Sequence, residues 1–244
     1  MSGEERAVQF RLEAEKKLKG GLFGFLNSTR FEEAADLYTK SGNQFKLAKK
    51  WDEAASAFCK AAEIHLTKAG NRHEAAGCLV NASNCYRKTS VPDSIRTLQQ
   101  AIELYTEDGR FSIAAKHQKD VAEMYEKEMD MENAINAYQT AADFFSSEAS
   151  TSAANGCLLK VATFSAELER YAVAVEILEK IAESCIDNKL LKWSVKDYYL
   201  KAGICLLCMG VCCFHFQNSL FRVIIVTDFV LKYNKGCCGN QKVS

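Results

Sequence analysis

The chain has 244 residues, of which 48% are hydrophobic and 25% charged, with one proline, eleven cysteines and a formal net charge of zero. Zero net charge argues against the broad basic footprint of a nucleic-acid-binding surface, and so little proline suits long helices joined by tight turns. The balance is uneven: residues 204–244 carry +3 and the remainder −3.

The opening stretch MSGEERAVQFRLEAEKKLK is charged throughout, so no secretory leader is read there and the cysteines are expected as free thiols in a reducing compartment. Residues 4–19 predict an amphipathic helix with Ala7, Phe10, Ala14 and Leu18 on one side, stopped by Gly20-Gly21. Leu22, Phe23, Phe25 and Leu26 then lie among three glycines, with no charge from Gly20 to Thr29. Such a segment folds back onto the first hairpin or stands out as an apolar tip that dips into a bilayer. The glycines favour the tip, because a core element has no need of that backbone freedom.

Helices are predicted at 30–47, 51–69, 72–88, 92–107, 111–128, 131–147, 152–168, 171–185 and 190–208. Gly70 and Gly109 stand at helix ends and Pro92 at a helix start, while Glu53, Asp93 and Glu132 place negative charge near helix N-termini. Gly156 falls inside a helix, where it costs about 1 kcal/mol relative to alanine.

The segment Trp51–Leu66 sets the pattern, with Trp51, Ala54, Ala55, Phe58, Ala61, Ala62 and Leu66 at helical spacing on one stripe. Positions equivalent to Ala55 recur at Ala35, Ala76, Ile95, Ala115, Ile135, Ala154 and Ala174, in steps of 19 to 21 residues. Seven residues after each comes a small or apolar one: Gly42, Ala62, Ser83, Ile102, Ala122, Ala142, Val161 and Ile181. Each period is one helix and a turn, and two make a hairpin. The expected fold is all-α, a right-handed α-solenoid of tetratricopeptide-like helical hairpins over residues 1–203. Residues 204–244 form a cysteine-rich apolar tail without that spacing.

Catalytic signals are weak. His65, His73, His117 and His215 are scattered, and no HExxH pair, phosphate loop, GxSxG or dinucleotide fingerprint occurs. No catalytic residue, metal or cofactor is therefore expected, and the chain is read as not an enzyme. Cys205-x-x-Cys208, Cys212-Cys213 and Cys237-Cys238 suggest zinc or acylation only weakly. The apolar run Ile204–Phe216 is too short to span a bilayer.

Several strings are more specific than a repeat requires. GLFG before the first hairpin, NQFKLAKKWDEAASAFCKAAEIHL, AIELYTEDGRFSIAAKHQ, CLLKVATFSAELERY and LLKWSVKDYYLKA resemble the soluble NSF attachment proteins, α/β type, from about residue 4 to about residue 207. NSF is the N-ethylmaleimide-sensitive fusion ATPase. The resemblance implies a cytoplasmic adaptor, peripheral on membranes, that grips an assembled syntaxin-type SNARE bundle and presents it to NSF for disassembly in vesicle transport. It assigns membrane contact to Leu22 and Phe23, extended here by Phe25 and Leu26, and SNARE contact to Arg110, Lys116 and Lys160. No nucleic acid and no cofactor are implied.

Two departures stand out. The family's SANKCLLK reads SAANGCLLK at 152–160, so Gly156 replaces an expected lysine. Residues 204–244 replace the C-terminal bundle and acidic, leucine-containing end, so loss of NSF stimulation is expected. Two readings stay open beside the productive adaptor: a general helical-repeat scaffold, and a non-productive form that binds SNAREs and blocks turnover.

Overall fold

The computed structural model describes residues 3–19, 27–186 and 192–210, and these residues are helices and the turns between them. The chain divides into two units, Met1–Glu128 and Met129–Ser244. The first holds α1 (Gly3–Lys19), α2 (Asn27–Leu47), α3 (Trp51–Ile64), α4 (Arg72–Tyr86), α5 (Val91–Glu107) and α6 (Phe111–Lys127), with a π turn at His65–Ala69 after α3. The second holds α7 (Met131–Ser147), α8 (Thr151–Glu167), α9 (Tyr171–Ile186) and α10 (Lys192–Cys208). Within each unit every helix packs on its successor in the chain. The fold is the expected all-α array of tandem helical hairpins.

Local chemistry sets the helix ends. Asn71 Oδ1 accepts from the Glu74 N–H at 3.3 Å and Asp130 Oδ1 from the Asn133 N–H at 3.2 Å, satisfying first-turn donors. Ser90 both accepts from the Asp93 N–H at 3.4 Å and donates to its carboxylate at 2.7 Å, with Pro92 in the same first turn. At the exits, Gly109 takes φ +69° while the Arg110 N–H reaches back to the Tyr105 carbonyl at 2.8 Å. Lys49, Ala149 and Glu169 adopt the same left-handed conformation, at φ 59°, 54° and 60°. That costs a non-glycine residue about 1–2 kcal/mol. The backward bonds offset it: Lys50 to Phe45 at 2.9 Å, Ser150 to Phe145 at 2.9 Å and Arg170 to Ser165 at 2.8 Å.

The repeated positions are the core. Ala35, Ala55, Ala76, Ile95, Ala115, Ala154 and Ala174 are buried, as are all eight residues seven places on; Ile135 alone of the set is half-buried. In the first unit Phe58 is fully buried against Ala7, Phe45, Ala54, Ala55, Ala82 and Cys85, with Trp51 partly buried beside them. Buried serines join neighbouring helices. The Ser41 hydroxyl donates to the Ala7 carbonyl at 2.7 Å, and Ser83 and Ser94 each lie 2.9 Å from the other's carbonyl oxygen.

One expected core residue is displaced. Leu66 is 39% exposed, and its neighbour His65 is buried instead at 6%. The π turn that begins at His65 has a wider repeat than the α-helix before it, so the buried stripe slips by one residue there. His65 is thus a core histidine, yet its Nδ1 meets no hydrogen-bond partner among the described residues.

Two glycines inside helices predict opposite outcomes. A Cβ on Gly42 would sit 3.0 Å from the Phe58 ring, which is hemmed in by the core, whereas one on Gly156 would meet nothing within 4 Å. Overpacking costs about 1–3 kcal/mol, against a helix gain of about 1 kcal/mol for Gly→Ala. Gly156→Ala should therefore raise the free energy of unfolding by about 1 kcal/mol, while Gly42→Ala should lower it. Denaturant titration of both variants checks this, and an equal gain from Gly42→Ala would show that the ring gives way.

Candidate functional site

Arg110 stands at the turn into α6, its backbone N–H tied to Tyr105 and its carbonyl accepting from the Ala114 N–H at 3.1 Å. Its side chain is exposed, and Nη1 lies 3.2 Å from His73 Nδ1. Lys116 projects from the second turn of the same helix, exposed and without an ion-pair partner among the described residues. Some other cations of the first unit are paired: Arg72 with Glu107 at 3.1 Å, Arg96 with Asp93 at 2.8 Å, and Lys119 with Glu123 at 3.6 Å. Arg110 and Lys116 keep positive charge for an anion from outside, Arg110 at the head of α6 and Lys116 in its second turn. Lys160 belongs to the second unit, exposed on α8 with its ammonium 5.5 Å from the centre of the Phe164 ring.

Gly156, one turn before Lys160, is also exposed, so a lysine there would add charge to the same stretch of α8. Leu22, Phe23, Phe25 and Leu26 lie outside the described residues. Among the described residues, no helix is long and apolar enough to cross a membrane.

Nothing in the described residues gathers for chemistry. No three His, Cys, Asp or Glu side chains there converge to hold a metal. In the Cys205-x-x-Cys208 pair, Cys205 is buried against α9 while Cys208 is exposed. Burial pushes the Cys59, Cys78, Cys85 and Cys205 thiols up, keeping them neutral and suited to apolar packing. A furrow of about 220 Å³ in the second unit brings Asp143, Asn155 and Lys180 together, below the 300–1,000 Å³ usual for small-molecule sites.

The family model described as "Soluble NSF attachment protein, SNAP" matches residues 5–218. The chain belongs to the soluble NSF attachment protein family. The bovine (Bos taurus) beta-soluble NSF attachment protein is 47% identical over 212 residues, covering 84% of this chain and 70% of that protein. The human alpha-soluble NSF attachment protein is 45% identical over 218 residues, covering 86% of this chain and 73% of its own length. The Dictyostelium discoideum alpha-soluble NSF attachment protein is 48% identical over 210 residues, covering 85% and 72%. The family match takes in α2 to α10 and α1 from Glu5 onward, and continues beyond Leu207; residues 219–244 lie outside it.

One residue at this site went unnoticed in the sequence. His73 lies 37 positions before Arg110, and a lone histidine at a helix start carries no signal of a partner that far away. Only the packing of α4, α5 and α6 in succession brings the two together.

Proposed function

We propose that this chain is an adaptor that binds assembled SNARE bundles and links them to the NSF ATPase in vesicle traffic. The observation that carries this reading is the family match across residues 5–218, which reaches all ten helices described above. Its relatives bear the names NSF attachment protein and, in Neurospora crassa, probable vesicular-fusion protein sec17 homolog. Arg110, Lys116 and Lys160 are assigned to the acidic surface of a syntaxin-type SNARE bundle. The unneutralised charge of Arg110 and Lys116 supports that assignment. Leu22, Phe23, Phe25 and Leu26 are assigned to the membrane surface, which makes the protein cytoplasmic and peripheral.

Binding and turnover are separable in this proposal. Residues 219–244 lie outside the family match and hold one aspartate against three lysines and one arginine, where the resemblance implies an acidic end. We assign to this chain capture of the bundle with little stimulation of NSF. It would then act as a non-productive occupant beside a productive relative.

Reversing Arg110, Lys116 and Lys160 together to glutamate should abolish pull-down of preassembled SNARE bundles, and raised salt should weaken the wild type. Single reversals should be mild, because exposed pairs contribute about 1 kcal/mol or less. Undiminished pull-down by the triple variant would instead favour a general helical-repeat scaffold.

The apolar segment has its own test. Burying a leucine or phenylalanine fully yields about 1.5–3 kcal/mol, and an interfacial loop buries only part of each, so single-copy membrane affinity is marginal. Changing Leu22, Phe23, Phe25 and Leu26 to serine should reduce flotation with liposomes while leaving thermal stability intact. A large fall in stability would mark the segment as core.

A further inference from the structure

Behind Arg110 stands a row of rings drawn from three successive helices. His73, in the first turn of α4, meets Tyr105 of α5 edge-on, with centroids 6.3 Å apart and planes at 65°. Tyr105 stacks on His117 of α6 at 5.8 Å and 23°, and His117 Nδ1 lies 3.2 Å from the Asp120 carboxylate. Tyr105 is 5% exposed, so the middle of the row is fixed by the core. Burial pushes its phenol up, with the charge of Arg110 acting in the opposite sense.

The chemistry of the Arg110–His73 contact is one-directional. A guanidinium carries donors only, so His73 Nδ1 accepts and the ring's own proton sits on Nε2. Arg72, the residue before His73, pairs with Glu107 of α5 at 3.1 Å. Glu74, the residue after it, is held through its backbone N–H on Asn71, and its carboxylate acts on the Tyr105 phenol in the opposite sense to Arg110. His73 is left as an uncharged acceptor at the tip of Arg110, while the backbone of Arg110 is held at both N–H and carbonyl.

We infer that His73 is a positioning residue for Arg110. It holds the long side chain in one direction through a single N–H, leaving the other guanidinium donors for a carboxylate on a partner. A carboxylate in place of His73 would neutralise the charge; an imidazole acceptor steers the side chain and leaves the charge intact. This inference rests on the Arg110 contact proposed above.

The test is a cycle in the full chain: wild type, His73→Ala, Arg110→Ala and the double variant, with His73→Asn as a fifth protein. The asparagine Oδ1 stands the same number of bonds from the backbone as Nδ1 and can accept in its place. Binding of a preassembled SNARE bundle is measured at one low salt concentration, and thermal unfolding is followed for each protein. His73→Ala should weaken binding about two- to fivefold with an unchanged melting curve. The double variant should bind no more weakly than Arg110→Ala, and His73→Asn should restore most of the loss. If Arg110→Ala binds like wild type, both the proposed contact and this inference fall. If Arg110→Ala weakens binding but His73→Ala does not, or if the two losses multiply, or if asparagine fails to rescue, the inference alone is overturned.

Discussion

No helix of this protein can cover its own apolar stripe, and that constraint shapes the rest of the structure. The stripes are faced with alanine at the positions of closest approach, such as Ala55, Ala76, Ala115 and Ala174, all fully buried. Small side chains let neighbouring backbones come near, and larger groups such as Phe58 and Tyr138 then fill the space beside them. Because the contact is between neighbours in the chain, each helix must be turned back at once. The left-handed residues at Lys49, Gly109, Ala149 and Glu169 do this with the same backward hydrogen bonds. One cation of the proposed SNARE-contacting set lies at one of these turns. Arg110 is the residue after Gly109, so the device that reverses the chain also places a cation at the head of α6.

Much of this fold was legible because a buried alanine stripe with a fixed period leaves few alternatives. Helix α7 spans Met131–Ser147 where 131–147 was expected, and α5 begins at Val91 with Pro92 in its first turn. What escaped follows from the assumptions behind a period. Counting in α-helical steps placed Leu66 in the core, and the π turn put His65 there instead. Glycine marked two of the left-handed exits, but lysine, alanine and glutamate take the same conformation where turn hydrogen bonds outweigh the strain. The Ser83–Ser94 exchange was invisible, since a buried serine in a repeat reads as a small core residue until its partner is known.

The site was less legible than the fold. Composition and spacing gave no reason to prefer Arg110, Lys116 or Lys160 over other exposed cations; the resemblance alone selected them. The structure separates Arg110 from some of them, because Arg72, Arg96 and Lys119 are paired with carboxylates while Arg110 meets an imidazole acceptor. Helix α10 adds another feature that periodicity obscured. Val195, Tyr199, Ala202 and Leu206 are buried, yet Trp193, Leu200, Ile204 and Leu207 remain 47–59% exposed on the same helix. With apolar residues on both sides it has no clean stripe, and its two faces separate only once the contact with α9 is seen.

The proposed division between capturing a SNARE bundle and driving its turnover is the claim on which the functional account turns. The direct measurement follows a preassembled, fluorescently labelled bundle in the presence of NSF, ATP and the purified chain, reading capture and disassembly in the same reaction. The chain should bind the bundle, add little to its rate of disassembly, and slow the reaction when mixed in excess with a productive relative. Rapid ATP-dependent disassembly with this chain as the sole attachment protein would contradict that division.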